Sequence, residues 1–278
     1  MALNDQDLTA LFKQIQQNTG KDAYEVSVAA NTPSLTSSKL GGLPYWPGDL
    51  DYPVDASGSP LFLLAQINLE DLGGDSRLPT HGLLQFFIAG DDCYGLDFSY
   101  PIDRQEGFRV VFHPNTDTTI TEEDVVSFGA KAAEPSDMLP IDAEHAIMLT
   151  PSRSWITPLD AGFDTAFAKA YEEVFGQNVE GISWDKVIDG SDEDFWHMLM
   201  KDNTCGSQML GYPFFTQWDP RDESTLELCD TVLLQLDSEM AADSVIMWGD
   251  CGIGAFFTNG VAAARGDFSH VLYNWDCY

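Results

Sequence analysis

Pro60-Leu61-Phe62-Leu63-Leu64-Ala65-Gln66-Ile67-Asn68-Leu69 decides the reading of this chain, because it returns later as Thr231-Val232-Leu233-Leu234-Gln235-Leu236-Asp237. Each run is an apolar stretch of strand length with a glutamine at the same place. Working outward, Leu40-Gly41 returns as Leu210-Gly211, Pro44 as Pro213, and Phe86-Phe87 as Phe256-Phe257. Asp97-Phe98-Ser99 returns as Asp267-Phe268-Ser269, and every separation is 169 or 170 residues. Order and spacing together imply an internal duplication. The copies cover approximately 34–113 and 204–278, with a helical and loop insert at approximately 114–203. Both copies are expected to share one compact body spanning 1–278.

Side chains alternate along a strand, so Ala65, Ile67 and Leu69 share one face while Gln66 and Asn68 share the other. In the second run Leu234 and Leu236 oppose Gln235 and Asp237. If the polar face is covered, these groups need hydrogen bonds, since burying one unpaired costs about 1–3 kcal/mol. They would then either pin the Gly-Pro-rich loop at 34–58 and its counterpart, or line a cleft. Gln66, Asn68, Gln235 and Asp237, with Trp248 and Asp250, are therefore the candidate binding residues.

Further strands are expected at 83–89, 108–113, 146–150, 253–258 and 271–275. Asn4 caps a helix whose Leu8, Leu11, Phe12 and Ile15 form one stripe before Gly20. A second stripe, Phe163, Phe167, Ala170, Tyr171, Val174 and Phe175, stops at Gly176. Ser191 with Asp194 reads as a capping pair, and Thr121 opens a short turn. Strands outnumber helices and do not alternate with them. The fold class is α+β, a largely antiparallel β-sheet with a few helices in two pseudo-symmetric halves.

The chain has 278 residues and a net charge of −32, with 44% hydrophobic and 12% aromatic residues. That composition supports a folded core. The acidic excess is spread evenly: 21 acids against 7 bases in 1–139, and 24 against 6 in 140–278. Nucleic acid is excluded as a partner, because no basic stripe could displace phosphate counterions. No apolar run reaches membrane-spanning length, and the start lacks a secretory pattern, so a cytoplasmic protein is expected. Five cysteines without a Cys-x-x-Cys pair suggest neither a disulfide framework nor a zinc knuckle. No cofactor or metal is expected.

Phosphate-loop, dinucleotide, nucleophile-elbow and zincin motifs are absent. The most enzyme-like stretch is Trp248-Gly249-Asp250-Cys251-Gly252-Ile253-Gly254. Cys251 could act as a thiolate nucleophile if a cation lowered its pKa. The repeat register sets it opposite His81, so a pseudo-twofold axis near these loops would let the two face each other. Asp250 opposes that chemistry by raising the thiol pKa, and the alternative is a glycine-rich turn beneath an aromatic lid.

Leu40-Gly41-Gly42-x-Pro44, the Pro60–Leu69 run, Leu234-Gln235-Leu236-Asp237, Trp248-Gly249-Asp250-Cys251-Gly252 and Trp275-Asp276-Cys277 resemble the YwqG-like family, mostly bacterial proteins of unknown function. The resemblance runs from about 34 to 277. It implies an intracellular α+β protein with no assigned reaction, some relatives of which lie in toxin–immunity gene clusters. The leading expectation is a non-catalytic protein-binding module, of immunity type, that recognises a basic toxin or nuclease. The alternatives are a Cys251-dependent hydrolase or transferase, and a small-ligand binder at the repeat junction.

Overall fold

The computed structural model describes residues 3–96, 104–134, 138–188, 193–200, 203, 206–238 and 245–278. Helix α1 (Asp5–Thr19) begins at Asn4, whose side chain accepts from Gln6 and Asp7 N–H while Asp7 answers the Asn4 N–H. This capping box satisfies the first-turn donors, and Leu8, Leu11 and Ile15 bury one stripe. Strand β1 (Lys21–Val28) follows directly, then β2 (Lys39–Leu40), β3 (Phe62–Asn68), β4 (Leu83–Ile88) and β5 (Phe108–His113). Next come α2 (Glu122–Ser127), β6 (His145–Ser154), α3 (Phe163–Phe175), α4 (Trp184–Val187) and α5 (Glu193–Met200). The chain closes with β7 (Gln208–Met209), α6 (Glu223–Leu226), β8 (Thr231–Asp237), β9 (Ile253–Thr258), α7 (Gly260–Ala263) and β10 (Val271–Asp276).

The ten strands form one antiparallel sheet in the order β10-β9-β8-β7-β1-β6-β2-β3-β4-β5. The fold is thus α+β, as the strand patterns imply. Strands β1 and β6 pair at the centre, from Lys21 opposite Ser154 to Val28 opposite Ile147. On either side lies a flank of four strands, β2 to β5 and β7 to β10.

The flanks correspond in detail. Each first long strand carries a register shift where it meets the next, at Leu63/Ala65 and at Val232/Leu234. Lys39 pairs with Gln66, and Gln208 with Gln235. Ser38 Oγ accepts the Asn68 N–H at 2.9 Å, and Ser207 Oγ accepts the Asp237 N–H at 3.0 Å. These pairs are all 169 residues apart, which corrects the lettered match of Leu40-Gly41 to Leu210-Gly211. Gly41 corresponds instead to Leu210, and both take a left-handed φ, 59° and 62°. The extra residue falls in the second flank, between β8 and β9, so that Phe86 on β4 corresponds to Phe256 on β9. Letter identity misled because Leu210 adopts a backbone conformation normally left to glycine. Asp97-Phe98-Ser99 and Ser191 lie outside the described residues, as does the Asp194 side chain.

The sheet curls until its ends meet. Phe86 and Phe256 from opposite flanks pack at 5.0 Å between ring centroids, and Phe108 and Tyr273 from the terminal strands at 5.2 Å. A continuous apolar core from Leu64 to Tyr273 fills the interior. Removing one such phenylalanine costs about 3–5 kcal/mol. Helices α1, α3 and α5 pack together at one side, around Leu11, Ile15, Phe167 and Leu199. Among the described residues no helix is long and apolar enough to cross a membrane.

Candidate functional site

Gln66 and Gln235 are fully buried. Gln66 Oε1 accepts the Tyr45 N–H at 3.1 Å, and Nε2 donates to Leu35 and Ser37 O at 2.9 and 2.8 Å. Gln235 does the same work, accepting from Phe214 N–H at 2.8 Å and donating to Gly206 O at 2.8 Å. These side chains hold the glycine- and proline-rich loops onto their strands and face no open cleft. Asn68 Oδ1 accepts from the Glu70 N–H and Nδ2 reaches Thr36 O, while Asp237 is tied through its N–H to Ser207. Around Gln66 the network widens. Gln85 Nε2 donates to Gln66 Oε1 and Tyr45 O, and Gln85 Oε1 lies 2.8 Å from His113 Nε2. Burial pushes the His113 pKa down to about 4, so the ring is neutral near pH 7.

The Trp248–Gly254 stretch is packing too. Trp248 is fully buried, stacked on Trp275 at 6.3 Å and met edge-on by Tyr94 at 5.5 Å. Its glycines make room: a Cβ at Gly254 would come within 2.3 Å of the indole, and one at Gly252 within 1.9 Å of Asp276 O. Asp250 is exposed, and Cys251 is partly buried at a left-handed φ of 72°. The structure does not bring Cys251 and His81 together. The Cys251 turn lies against Trp275 and Cys277 and opens β9, whereas exposed His81 precedes β4 beside Pro79, which borders Gly266 beyond the far end of β9. The matched strands run in opposite directions across the core, so their leading turns are separated by the strand length. In the Cys251 corner, burial and the acids Asp92 and Asp91 push the Cys93 thiol up, the reverse of activation.

Sequence reading missed a charged knot beside β1. Buried Arg221 donates to Asp219 at 2.7 and 2.9 Å, to Asp160 at 3.1 Å and to Cys229 O at 3.1 Å, over the Phe257 ring. Lys21 Nζ lies 4.0 Å above the Tyr212 ring, and burial lowers its pKa to about 8. Lys39 is buried against Glu144 at 2.9 Å and Leu43 O at 2.6 Å. Arg77 grips Asp75 and reaches Asp22 O and Leu210 O. Each of these cations holds separate parts of the chain together.

Two cavities are lined by described residues of both charges. One, of about 730 Å³, lies where the sheet ends meet and is lined by Arg104, Glu106, Arg109, Phe112, Phe268 and Ser269 among others. The other, of about 500 Å³, lies between α3 and the α4 segment, with Lys169 and Lys186 against Asp164, Glu172 and Glu180. Among the described residues no three His, Cys, Asp or Glu side chains are grouped to hold a metal ion.

No curated protein matches the chain. A family model does match, over residues 38–277, and its description is a domain of unknown function, DUF1963. The matched span takes in both flanks, the pinned glutamines and the Trp248 stretch, so the chain belongs to the DUF1963 family.

Proposed function

We propose that this protein is a non-catalytic binding module for a cationic protein, in the manner of an immunity protein that masks a basic toxin or nuclease. The observation that carries this reading is the net charge of −32, which the internal clamps leave undiminished. Of 13 lysines and arginines against 45 acids, Lys21, Lys39, Arg77 and Arg221 are spent on internal clamps. Four acids, Glu144, Asp75, Asp160 and Asp219, are tied up with them, so the rest of the chain still carries the full net charge of −32, and such a field speeds encounter with a basic partner. The glutamines and Trp248 support the same reading, since their polar and aromatic groups serve loops and core.

A cytoplasmic setting, the YwqG-like resemblance and descent of the two flanks from one duplicated unit belong to this proposal. The matched pins and strand order support the last of these.

The test is capture of purified basic toxin or nuclease domains encoded in the same genome, repeated at rising salt. A partner is expected whose affinity falls about tenfold or more between low and physiological salt, as screened charge attraction requires. Absence of any such partner, or binding indifferent to salt, overturns the reading.

A further inference from the structure

We infer that the cavity at the junction of the sheet ends binds a small carboxylate that carries a flat apolar group. This inference stands apart from the cationic-partner reading. Its first ground is a local reversal of charge. Among the described residues the lining sets Arg104 and Arg109 against one acid, Glu106, whereas the α3 cavity sets two lysines against three acids. In a chain of net charge −32, a cavity of opposite sign is where an anion can settle.

The second ground is how these arginines are used. Lys39, Arg77, Arg153 and Arg221 each meet a carboxylate at 2.9 Å or closer. Arg104 lies 3.8 Å from Glu106, beyond hydrogen-bond reach, and both side chains are more than half exposed. Arg109 donates once, from Nη2 to Gln105 O at 3.0 Å, and no acid pairs with it among the described residues. A guanidinium has five donors in a planar fork that matches a carboxylate. Arg109 lines the cavity, and most of its fork has no partner among the described residues.

The third ground is that the cavity is built before any ligand arrives. Gln105 spans the junction: its Oε1 accepts the Val110 N–H at 2.8 Å while Nε2 donates to Phe268 O at 3.0 Å and Ser269 O at 3.3 Å. Asp267 holds the Ser269 hydroxyl at 2.7 Å. Phe112 and Phe268 pack edge to face at 5.7 Å and give the cavity an apolar wall. Charged rim and aromatic wall together select an acid with a ring attached. A monoanion suits the site better than a dianion, because the surrounding acidic field repels double charge more strongly. Such a carboxylate could be a free acid or the C-terminus of a peptide ending in phenylalanine.

Titration of the full chain, followed by amide chemical shifts, tests this with 3-phenylpropionate, phenethylamine and an acetylated tripeptide ending in phenylalanine. Shifts confined to residues 104–112 and 266–269 are expected with 3-phenylpropionate or the tripeptide, and the stronger of the two identifies the source. Phenethylamine is expected to leave them unmoved. Arg109→Gln should weaken binding about tenfold or more, and Arg104→Gln less, as loss of a charge-assisted pair implies. Lys169→Gln, in the other cavity, should leave binding unchanged. Both arginines are surface groups, so unchanged thermal melting checks that the variants fold. No shift with either carboxylate at about 10 mM, the weak limit for a specific small-molecule site, overturns the inference. Undiminished binding by Arg109→Gln, or equal binding of the amine, overturns it too.

Discussion

Lys39 on β2 and Gln208 on β7 stand at matching points of the two flanks and meet the same demand with different chemistry. Lys39 donates to Leu43 O at 2.6 Å, and Gln208 Nε2 donates to Tyr212 O at 2.7 Å. The lysine completes its bonding with Glu144, while the buried Gln208 Oε1 has no hydrogen-bond partner among the described residues. One strand further out, Gln85 and His113 extend the first flank's polar network, where the second flank has Ala255 and Asp276. Asp276 instead accepts from Thr216 and Gln217 N–H at 3.1 Å. The fold therefore requires a donor at each turn carbonyl and a glutamine under each loop. What surrounds those fixed points differs freely between the flanks.

The strongest way to break the comparison is to remove the pins. Gln66→Leu strands the buried Tyr45 N–H and two loop carbonyls, so a loss of about 4 kcal/mol is expected from urea unfolding. Gln235→Leu should cost a similar amount, and a silent Gln235→Leu would show that the second loop does not depend on its glutamine.

The flanks also differ in what they do with acid. Unfolded, His113 takes up a proton near its ordinary value of 6.5; folded, it resists until about pH 4. Its contribution to stability is full above pH 6.5 and is lost as pH falls toward 4, about 3 kcal/mol in all. His113→Gln should remove that fall, so the wild-type-minus-variant stability difference shrinks by about 3 kcal/mol as pH drops from 6.5 to 4. A difference that stays constant with pH would mean that the ring takes up its proton in the fold as readily as in the unfolded chain.

The smallest effect sharpens the register. Gly41→Ala adds a Cβ 2.8 Å from Ala143 O at a left-handed φ, and about 1–2 kcal/mol of destabilisation is expected by thermal melting. The opposite flank already holds Leu210 in that conformation, so the penalty tests whether it comes from the backbone or from the crowding around Ala143 and Ile141.

Legibility followed local signal strength. Helix α1 was readable because Asn4 and the Leu8, Leu11, Ile15 spacing agree, and β3, β4, β8 and β9 because their runs are apolar but for a lone glutamine or glycine in each interior. Strand β1 was missed: it carries Lys21, Asp22 and Glu25 and buries only Ala23 and Val26, three residues apart, so no alternation marks it. Strands β2 and β7 are two residues each, too short for any periodicity. The pinning role of Gln66 and Gln235 was legible in kind, since a buried amide in an apolar run must find partners. Their partners were not, being loop backbone about 20–30 residues away. Arg221 and Asp160 lie 61 residues apart in the chain, and Arg109 and Phe268 line one cavity only because the sheet ends meet, so nothing local announces either pair.

The family match begins at residue 38, yet the strand that joins the two flanks ends at Val28. Strand β1 contacts β6 along eight residues and β7 through Tyr24 and Glu25. A fragment trimmed to the matched span would keep both four-stranded flanks and lose the ribbon between them, leaving β6 and β7 with raw hydrogen-bonding edges. The matched span thus starts after the central strand of the sheet, whose ladder to β6 and β7 it leaves out.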